Sequence, residues 1–480
     1  MSTVEANGPR PSVLRPGSRA RSRRRRLMSV LLAGALLAAC GHRMSGDELL
    51  AANGGLSADG PTATSSTVPG GTPAGAVEAP VEAGPVATVP SGADRGSPSA
   101  PGAVSAGSAA CSTPGETGSI AVATVGNYSG PAGSSQVGNA RAMQVWASMV
   151  NSRGGLCGRQ VQVIVVDDHS DPAQYRAALQ DLVENRHVVA FANAAVLTGD
   201  AGISYLESVK VPGIGGSCAV SAEFDSPMYF LPCPRPDEIM HGLVGNAARF
   251  GPSSRRFALI TCREAQVCGA LPRRLLLAEE GAKKAGVTVV YQAEASIAQP
   301  DFTAECLGAK SANADTVSVV LDIASLQRFG RSCARQGYFP TYSSLSSVSF
   351  DIKDQPGLSE MLVAAPTFSF VDTSTPAQRE FQAAMKQYYG KPPGAQESSG
   401  WTSAKLIELA ATKAARSKGT ITSASMIEAL QTLKDETLGG LSVPVTFRSG
   451  APGIYPHCWF AARATKGQWS NLNDGKPLCR

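Results

Sequence analysis

Cysteine is the most chemically versatile residue type in this chain. Eleven cysteines occur, and ten of them follow Cys40. None of the ten forms a CxxC pair or lies in a histidine-rich cluster, so the spacing does not favour a metal site. An even number favours structural disulfides in an oxidising compartment. Pairing of neighbours along the chain predicts five bonds: Cys111 with Cys157, Cys218 with Cys233, Cys262 with Cys268, Cys306 with Cys333, and Cys458 with Cys479.

Residues for catalysis are sparse. The sequence contains no HExxH, GxSxG or GxxxxGK[ST] motif. His169 follows two aspartates, but a solvated loop histidine is the favoured interpretation over a general base. We therefore predict no catalytic residues, no metal, no cofactor and no enzymatic activity. The five histidines show no metal-like spacing: His42, His169, His187, His241 and His457.

The segment before Cys40 has the pattern of an export signal. Arg23, Arg24, Arg25 and Arg26 precede an apolar stretch that runs from residue 27 to residue 39. Roughly 13 residues are too few to span a bilayer as a helix but are typical of a signal peptide. The residues Leu37-Ala38-Ala39-Cys40 resemble a bacterial lipobox.

Residues 1–39 are therefore interpreted as a lipoprotein signal peptide. We predict a diacylglycerol on Cys40 that anchors the protein to the extracytoplasmic face of the cell membrane. A plain signal peptide with an incidental cysteine is the alternative. The arginines also match a twin-arginine pattern loosely, so the export route stays open.

The net charge argues against a polyelectrolyte partner. Eight arginines and one acid, Glu5, lie before Cys40, so most of the formal charge of +5 belongs to that segment, and the remaining chain carries about −2. So small a charge cannot steer a protein to DNA or RNA, and no nucleic-acid partner is predicted.

The composition separates a tether from a folded region. Residues 40–110 consist mostly of Gly, Ala, Pro, Ser, Thr and Val without sustained periodicity, and such a tract buries too little apolar surface to offset its conformational entropy. We predict a disordered tether over 40–110 and a folded domain over 111–480.

From residue 117 onward, short apolar strands alternate with amphipathic helices. This βαβ rhythm favours parallel sheets covered on both faces, and two such series predict two lobes with a crevice between them. Ligands in open α/β sheets bind beyond the carboxyl ends of the strands. The predicted elements include the strands Val188–Phe191 and Val211–Ile214 and a continuous helix over Leu271–Ala285.

Three motifs occur in a recognisable order. They are Val125-Gly126-Asn127-Tyr128-Ser129-Gly130-Pro131, Val150-Asn151-Ser152-Arg153-Gly154-Gly155 and Val166-Asp167-Asp168-His169-Ser170-Asp171-Pro172. Gly154-Gly155 is predicted to end a helix, and Asp171-Pro172 to start the next one, with aspartate as the N-cap and proline in the first turn. Over about residues 117–470 the chain resembles periplasmic binding proteins of the leucine/isoleucine/valine type, the receptors of branched-chain amino-acid ABC importers.

The resemblance implies a specific architecture. It is the α/β type I periplasmic-binding-protein fold, with two doubly wound parallel-sheet lobes joined by a three-stranded hinge near Pro236, Pro366 and Leu441. The implied lobe boundaries are about 117–237 and 367–440 for the first lobe, and about 238–366 and 441–480 for the second.

The resemblance also implies candidate ligand contacts in the first lobe. Loop positions that follow two of its strands carry Ala195, Thr198, Ser217 and Ala219, of which Ser217 and Thr198 offer hydroxyl groups. Amino-acid-binding members tend to have serine near Ala195 and threonine near Ala219. Tyr128 is a further candidate, with packing beside the first turn as the alternative.

In the second lobe the chain departs further from the family. Asp322 stands where the family places a tyrosine, and Ser346 stands near the position of its ammonium-binding glutamate. Asp322 could serve as the ammonium partner, or alternatively as a helix cap. Gln266, inside the predicted Cys262–Cys268 loop, is the last candidate.

The predicted function follows from these points. The chain is interpreted as a lipid-anchored receptor that closes on a small molecule, an amino acid or a related amine, amide or acid, and delivers it to the permease of an ABC importer. The alternative is a sensory or scaffolding envelope lipoprotein with an altered ligand or none.

Overall fold

The computed structural model describes residues 118–130, 133–346 and 348–480. The predicted signal peptide, the lipid attachment at Cys40, the tether, Cys111 and Pro131 lie outside these ranges and stay predictions. Among the residues that the structure describes, no helix is long and apolar enough to cross a membrane.

The first sheet contains five parallel strands in the spatial order β2-β1-β3-β4-β5. Its strands are β1 (Ile120–Gly126), β2 (Val161–Asp167), β3 (Ala190–Asn193), β4 (Gly213–Gly216) and β5 (Tyr229–Phe230). The intervening helices are α1 (Val137–Ser152), α2 (Pro172–Glu184) and α3 (Ile203–Val209), with 3₁₀ turns at Gly133–Ser135, Gly199–Gly202 and Ser221–Asp225.

The second sheet is mixed, in the order β14-β13-β10-β9-β8-β6-β7, with β15 beside β13. Strands β6 to β10 run parallel, whereas β13 to β15 are antiparallel to their neighbours. The strands are β6 (Arg256–Cys262), β7 (Thr288–Ala295), β8 (Thr316–Val320), β9 (Thr341–Leu345), β10 (Met361–Ala365), β13 (Cys458–Thr465), β14 (Gln468–Asn471) and β15 (Leu478–Cys479). A separate hairpin pairs β11 (Thr446–Arg448) with β12 (Ala451–Ile454).

The remaining helices pack on both sheets. They are α4 (Pro236–Phe250), α5 (Ala270–Arg273), α6 (Gly281–Lys284), α7 (Thr303–Ser311), α8 (Ile323–Arg335), α9 (Pro376–Ala384), α10 (Ala395–Lys418) and α11 (Ser423–Leu430), with π turns at Arg274–Ala278 and Met385–Tyr389 and 3₁₀ turns at Phe350–Asp354 and Asn473–Gly475. Helix α10 packs against α1, β3 and β4 of the first sheet.

We call the first sheet with the helices packed on it the first lobe, and the second sheet with its helices the second lobe. The chain passes between them three times: after β5, after β10, and between α11 and β13. The predicted α/β architecture with two sheets is confirmed. The antiparallel strands of the second sheet are an addition, because the C-terminal segment after the third crossing returns as a meander of short strands rather than as βαβ units.

Several predicted boundaries are wrong. The helix expected over Leu271–Ala285 is broken into α5, a π turn and α6, because Glu280 adopts a left-handed conformation at φ 59°. Strands β3 and β4 each lie two residues later than predicted. The polar residue Asn193 can end β3 inside the sheet because its side chain is hydrogen-bonded there. Its Oδ1 accepts the backbone N–H of Val125 at 3.0 Å.

Predicted helix ends are reproduced. Asp171 caps α2 by accepting the N–H groups of Ala173 and Gln174, and Pro172 is the first helical residue. Gly154 and Gly155 end α1 with positive φ angles of 96° and 83°.

Four of the predicted disulfides are present: Cys218–Cys233, Cys262–Cys268, Cys306–Cys333 and Cys458–Cys479. Cys157 is also disulfide-bonded. Its predicted partner, Cys111, lies outside the described residues. Each bridge closes a short loop and thereby restricts the unfolded chain.

Helices α1 and α10 pack closely against each other in the first lobe. A Cβ built at Gly400 would lie 2.3 Å from the carbonyl oxygen of Asn139, and one at Gly138 would lie 2.7 Å from Cβ of Gln396. Both helices therefore need glycine where they cross.

We expect Gly400→Ala to destabilise the protein. Alanine adds about 1 kcal/mol of helix propensity relative to glycine, but overpacking costs about 1–3 kcal/mol, and here the clash is with backbone that cannot rotate away. The free energy of unfolding should fall in urea denaturation. The control is Ser417→Ala at an exposed position of the same helix. Its free energy of unfolding should not fall. An unchanged or raised stability of Gly400→Ala would contradict the packing argument.

Candidate functional site

A cavity that is open to solvent at its mouth lies between the two lobes. Its walls come mainly from segments at or after the ends of β1, β3, β4, β6, β7, β8 and β9, which is the carboxyl edge of both sheets. The first lobe supplies Ser135, Gln136, Val196, Leu197, Ser217, Cys218, Ala219 and Gln396. The second lobe supplies Ile239, Met240, Val267, Cys268, Ile297, Leu321, Asp322, Leu345 and Ser346, and Pro236 and Pro366 lie at the crossings.

A buried polar network holds the loop after β3. Asn127 accepts the backbone N–H of Leu197 with its Oδ1 at 3.0 Å and donates from Nδ2 to Asp168 at 2.8 Å. The Thr198 hydroxyl also donates to Asp168. Burial raises the pKa of the Asp168 carboxyl, although the hydrogen bonds from Thr198, Ser170 and Asn127 oppose that shift. This network fixes Val196 and Leu197 at the cavity wall.

Two glycines and a disulfide shape the loop after β4. Gly215 and Gly216 have φ angles of 76° and 134°, and the Gly216 N–H donates to Ser403 Oγ of α10 at 3.0 Å. The turn exposes Ser217 and Ala219 to the cavity. Cys218, between them, is tied to Cys233 at the first crossing.

The wall of the second lobe is built around the start of α8. Asp322 is the N-cap of this helix, and its carboxylate accepts the N–H groups of Ala324 at 3.0 Å and Ser325 at 3.3 Å. The Ser325 hydroxyl donates to the same carboxylate. The bonding capacity of Asp322 is therefore used largely within its own lobe.

Hydrogen bonds join the lobes beside the cavity. The backbone N–H of Ile323 donates to Ser135 Oγ at 3.0 Å. Gln396 Nε2 donates to the carbonyl oxygen of Ser346 at 3.1 Å. These contacts mean that the lobes are in contact around the cavity in this structure.

The cavity contains four of the eight residues predicted to bind ligand: Ser217, Ala219, Asp322 and Ser346. The other four are not among its lining residues. Tyr128 and Ala195 are 2% and 1% exposed and belong to the core of the first lobe, where the Tyr128 hydroxyl is hydrogen-bonded to Thr124. Thr198 belongs to the Asp168 network, and Gln266 is exposed while its neighbours Val267 and Cys268 line the cavity.

Sequence reasoning missed Ser135, Gln136 and Gln396. Gln136 follows β1 and precedes α1, so the rule that ligands bind beyond strand ends would have pointed to it. Gln396 had no comparable signal, because it reaches the cavity from α10, a helix distant in sequence from every strand of the first sheet.

One polar cluster outside the cavity has the residue types of a catalytic triad. His169 Nδ1 lies 2.9 Å from Ser129 Oγ and 3.0 Å from Asp167 Oδ2. Both contacts use the same ring nitrogen, so the histidine cannot bridge serine and carboxylate as a proton relay does. The arrangement is consistent with the predicted solvated loop histidine. Within the described ranges, no group of three His, Cys, Asp or Glu side chains is arranged to hold a metal ion.

We expect Asp322→Ala to lower the free energy of unfolding by about 1 kcal/mol, because α8 loses its cap. Asp322→Ser should retain most of the stability, since serine also caps helices but carries no charge. Urea denaturation followed by circular dichroism would compare the three proteins. Equal stability of Asp322→Ala and the parent would show that the cap does not contribute to the free energy of unfolding.

The family of the chain emerges from comparison with known proteins. A sequence profile described as "Periplasmic binding protein" matches residues 119–468. A comparison with curated protein sequences finds no match.

Solved structures share the fold at low sequence identity. A branched-chain amino-acid ABC transporter protein from Thermus thermophilus with bound valine is 16% identical, with a TM-score of 0.66 over 76% of this chain and 98% of that one. A fatty acid ABC transporter substrate-binding protein from Thermomonospora curvata is 18% identical, with a TM-score of 0.62 over 77% and 95%. A solute-binding protein from R. palustris in complex with benzoate is 14% identical, with a TM-score of 0.61 over 76% and 98%. These structures share the type I fold with this chain, and the profile matches most of its length. The chain therefore belongs to the periplasmic binding protein family.

Proposed function

We propose that this protein is a solute receptor of the cell envelope, anchored to the extracytoplasmic face of the membrane by a lipid on Cys40. Its lobes close on a small molecule, an amino acid or a related amine, amide or acid. The closed form then delivers this ligand to the permease of an ABC importer. The role is one of binding rather than catalysis.

The cavity at the carboxyl edge of both sheets is the observation that carries this proposal. Both lobes contribute to its walls, so a ligand there would favour the arrangement in which the lobes touch. The hydrogen bonds from Ile323 to Ser135 and from Gln396 to Ser346 are the contacts that such closure would form.

Structural relatives support the transport role by analogy. The proteins that share the fold include ones named for ABC transport of branched-chain amino acids and of fatty acids. Their ligands differ, so the fold supports a solute receptor without selecting the solute.

A sensory or scaffolding role on the same fold is the second candidate. It is favoured by one observation: the only acid that lines the cavity within the described residues, Asp322, is engaged as a helix cap. An amino-acid ammonium group would lack a free counter-charge. A protein that no longer feeds an importer could retain the fold while losing such contacts.

A ligand should raise the melting temperature of the mature lipoprotein. Binding to the native state alone adds about 2.7 kcal/mol of stability at a hundredfold excess over Kd. Scanning fluorimetry against amino acids, amides, amines and organic acids is the measurement. Ala219→Trp, which fills the cavity, should abolish the shift, while Ala222→Trp at an exposed position should keep it. No shift with any compound would favour the second candidate.

Membrane attachment should depend on the Cys40 thiol. Cys40→Ser removes the acceptor of the lipid, so the protein should leave the membrane fraction, and mass spectrometry of its N-terminal peptide should lack the diacylglycerol. Cys157→Ser, which removes a cysteine of the folded region, is the control and should remain membrane-bound. A Cys40→Ser protein that stays in the membrane fraction would refute the lipid anchor.

A further inference from the structure

The cavity between the lobes has a mainly apolar wall. Of its nineteen lining residues, ten are aliphatic residues or prolines, one is a methionine, and two more are disulfide-bonded cysteines. Aliphatic side chains come from both lobes, with Leu197 on one side and Ile239, Leu321 and Leu345 on the other. A ligand enclosed here exchanges water for hydrocarbon over most of its surface, which stabilises an apolar body.

Among the described residues that line the cavity, no side chain is cationic. Lysine, arginine and histidine are all absent from the lining residues, and so is any aromatic ring. A ligand carboxylate would therefore be desolvated without an opposite charge, and an ammonium group would find no aromatic face. The net cost of such an unpaired ion is several kcal/mol.

Asp322 does not remedy this for a cationic ligand. Its carboxylate already accepts the N–H groups of Ala324 and Ser325 and the hydroxyl of Ser325. Arg328 lies behind that hydroxyl, with its guanidinium donating to Ser325 Oγ at 2.7 Å. The hydrogen bonds of the carboxylate are thus made within the second lobe, which leaves little free acceptor capacity for a ligand. The carboxylate also occupies the N-terminus of α8, which would otherwise attract an anion.

Two polar atoms at the cavity have unmet bonding capacity. Gln136 is 5% exposed, and its Oε1 has no hydrogen-bond partner among the described residues. Ser217 Oγ is likewise buried without a partner in that part of the chain. An amide oxygen accepts hydrogen bonds, whereas a hydroxyl both donates and accepts. Leaving such atoms unpaired costs about 1–3 kcal/mol each, so a ligand that bonds to them is favoured.

On the basis of the proposed function, we infer that the ligand is an uncharged aliphatic solute with one carboxamide or hydroxyl group. Its hydrocarbon body contacts the apolar wall. Its polar group donates to Gln136 Oε1 and exchanges a hydrogen bond with Ser217 Oγ. This selects the neutral members of the proposed ligand range over free amino acids, amines and acids.

Compounds that share an isobutyl group and differ in charge test this inference. Isovaleramide and isoamyl alcohol are neutral, isovalerate is an anion, isoamylamine is a cation and leucine is a zwitterion. In titration calorimetry of the mature lipoprotein, we expect at least one neutral compound to bind at least tenfold more tightly than each charged one.

Tighter or equal binding of a charged compound would overturn the inference and leave the receptor function intact. Binding by none of the five compounds would also overturn it. The receptor function is decided separately, since the wider fluorimetry panel contains ligands of every charge.

Matched variants locate the polar contacts. Gln136→Leu and Ser217→Ala should each weaken binding of the neutral compound about tenfold. Gln144→Leu and Ser369→Ala are the controls, because they change the same residue types at buried, unpartnered oxygens that do not line the cavity. Equal effects of a site variant and its control would overturn the assignment.

A negative charge introduced at position 136 should increase the relative affinity for the cationic compound. Gln136→Glu is nearly isosteric and places a carboxylate beside the apolar wall. The ratio of isoamylamine affinity to isovaleramide affinity should rise at least tenfold. A ratio that does not change in a folded Gln136→Glu protein would mean that the ligand does not meet Gln136.

Discussion

The crossing of α10 over α1 is the constraint on which the binding cavity depends. Gly138 and Gly400 let the two helix backbones approach closely, and polar pairs then hold their alignment. Arg141 donates to Glu397 at 2.6 Å in a nearly buried ion pair, and the second oxygen of Glu397 accepts the Gly394 N–H at 2.9 Å. A buried pair of this kind adds little net stability when intact, but loss of one partner strands the other charge. The crossing therefore tolerates few alternatives, and it brings both Gln136 and Gln396 to the cavity wall.

Local chemistry made much of the fold predictable. The N-cap at Asp171, the proline that follows it and the glycines that end α1 each act through neighbouring backbone, so sequence alone identified them. The cysteine pairs of the described region were also predicted, since their partners are close in the chain. Features set by distant contacts were not. The polar end of β3 depends on the hydrogen bond that Asn193 accepts from the Val125 N–H and the one that it donates to Tyr175. The antiparallel strands of the second sheet depend on how the chain returns after its third crossing.

Four of the predicted ligand contacts line the cavity for the same reason, and their role in binding stays a prediction. Ser217, Ala219, Asp322 and Ser346 follow strands, and strand ends meet at the cavity. Thr198 also follows a strand, but a buried carboxylate at Asp168 draws its hydroxyl into the lobe interior. Periodicity cannot reveal the orientation of a loop hydroxyl, because that orientation is set by a hydrogen bond to an aspartate thirty residues away in sequence. Gln396 comes from a long helix whose contact with the first lobe only the tertiary structure discloses.

Two disulfides reach the cavity, one from each side: Cys218 is bonded to Cys233 in one wall and Cys268 to Cys262 in the other. Both wall loops are thus covalently preorganised, and little loop entropy is left to lose when a guest molecule is enclosed. Adaptation to guests of different shape is restricted in return. In a newly made, reduced chain both wall loops would lack this covalent restraint. Capture of cytosolic metabolites before export would thereby be discouraged by the same bonds that sharpen recognition afterwards.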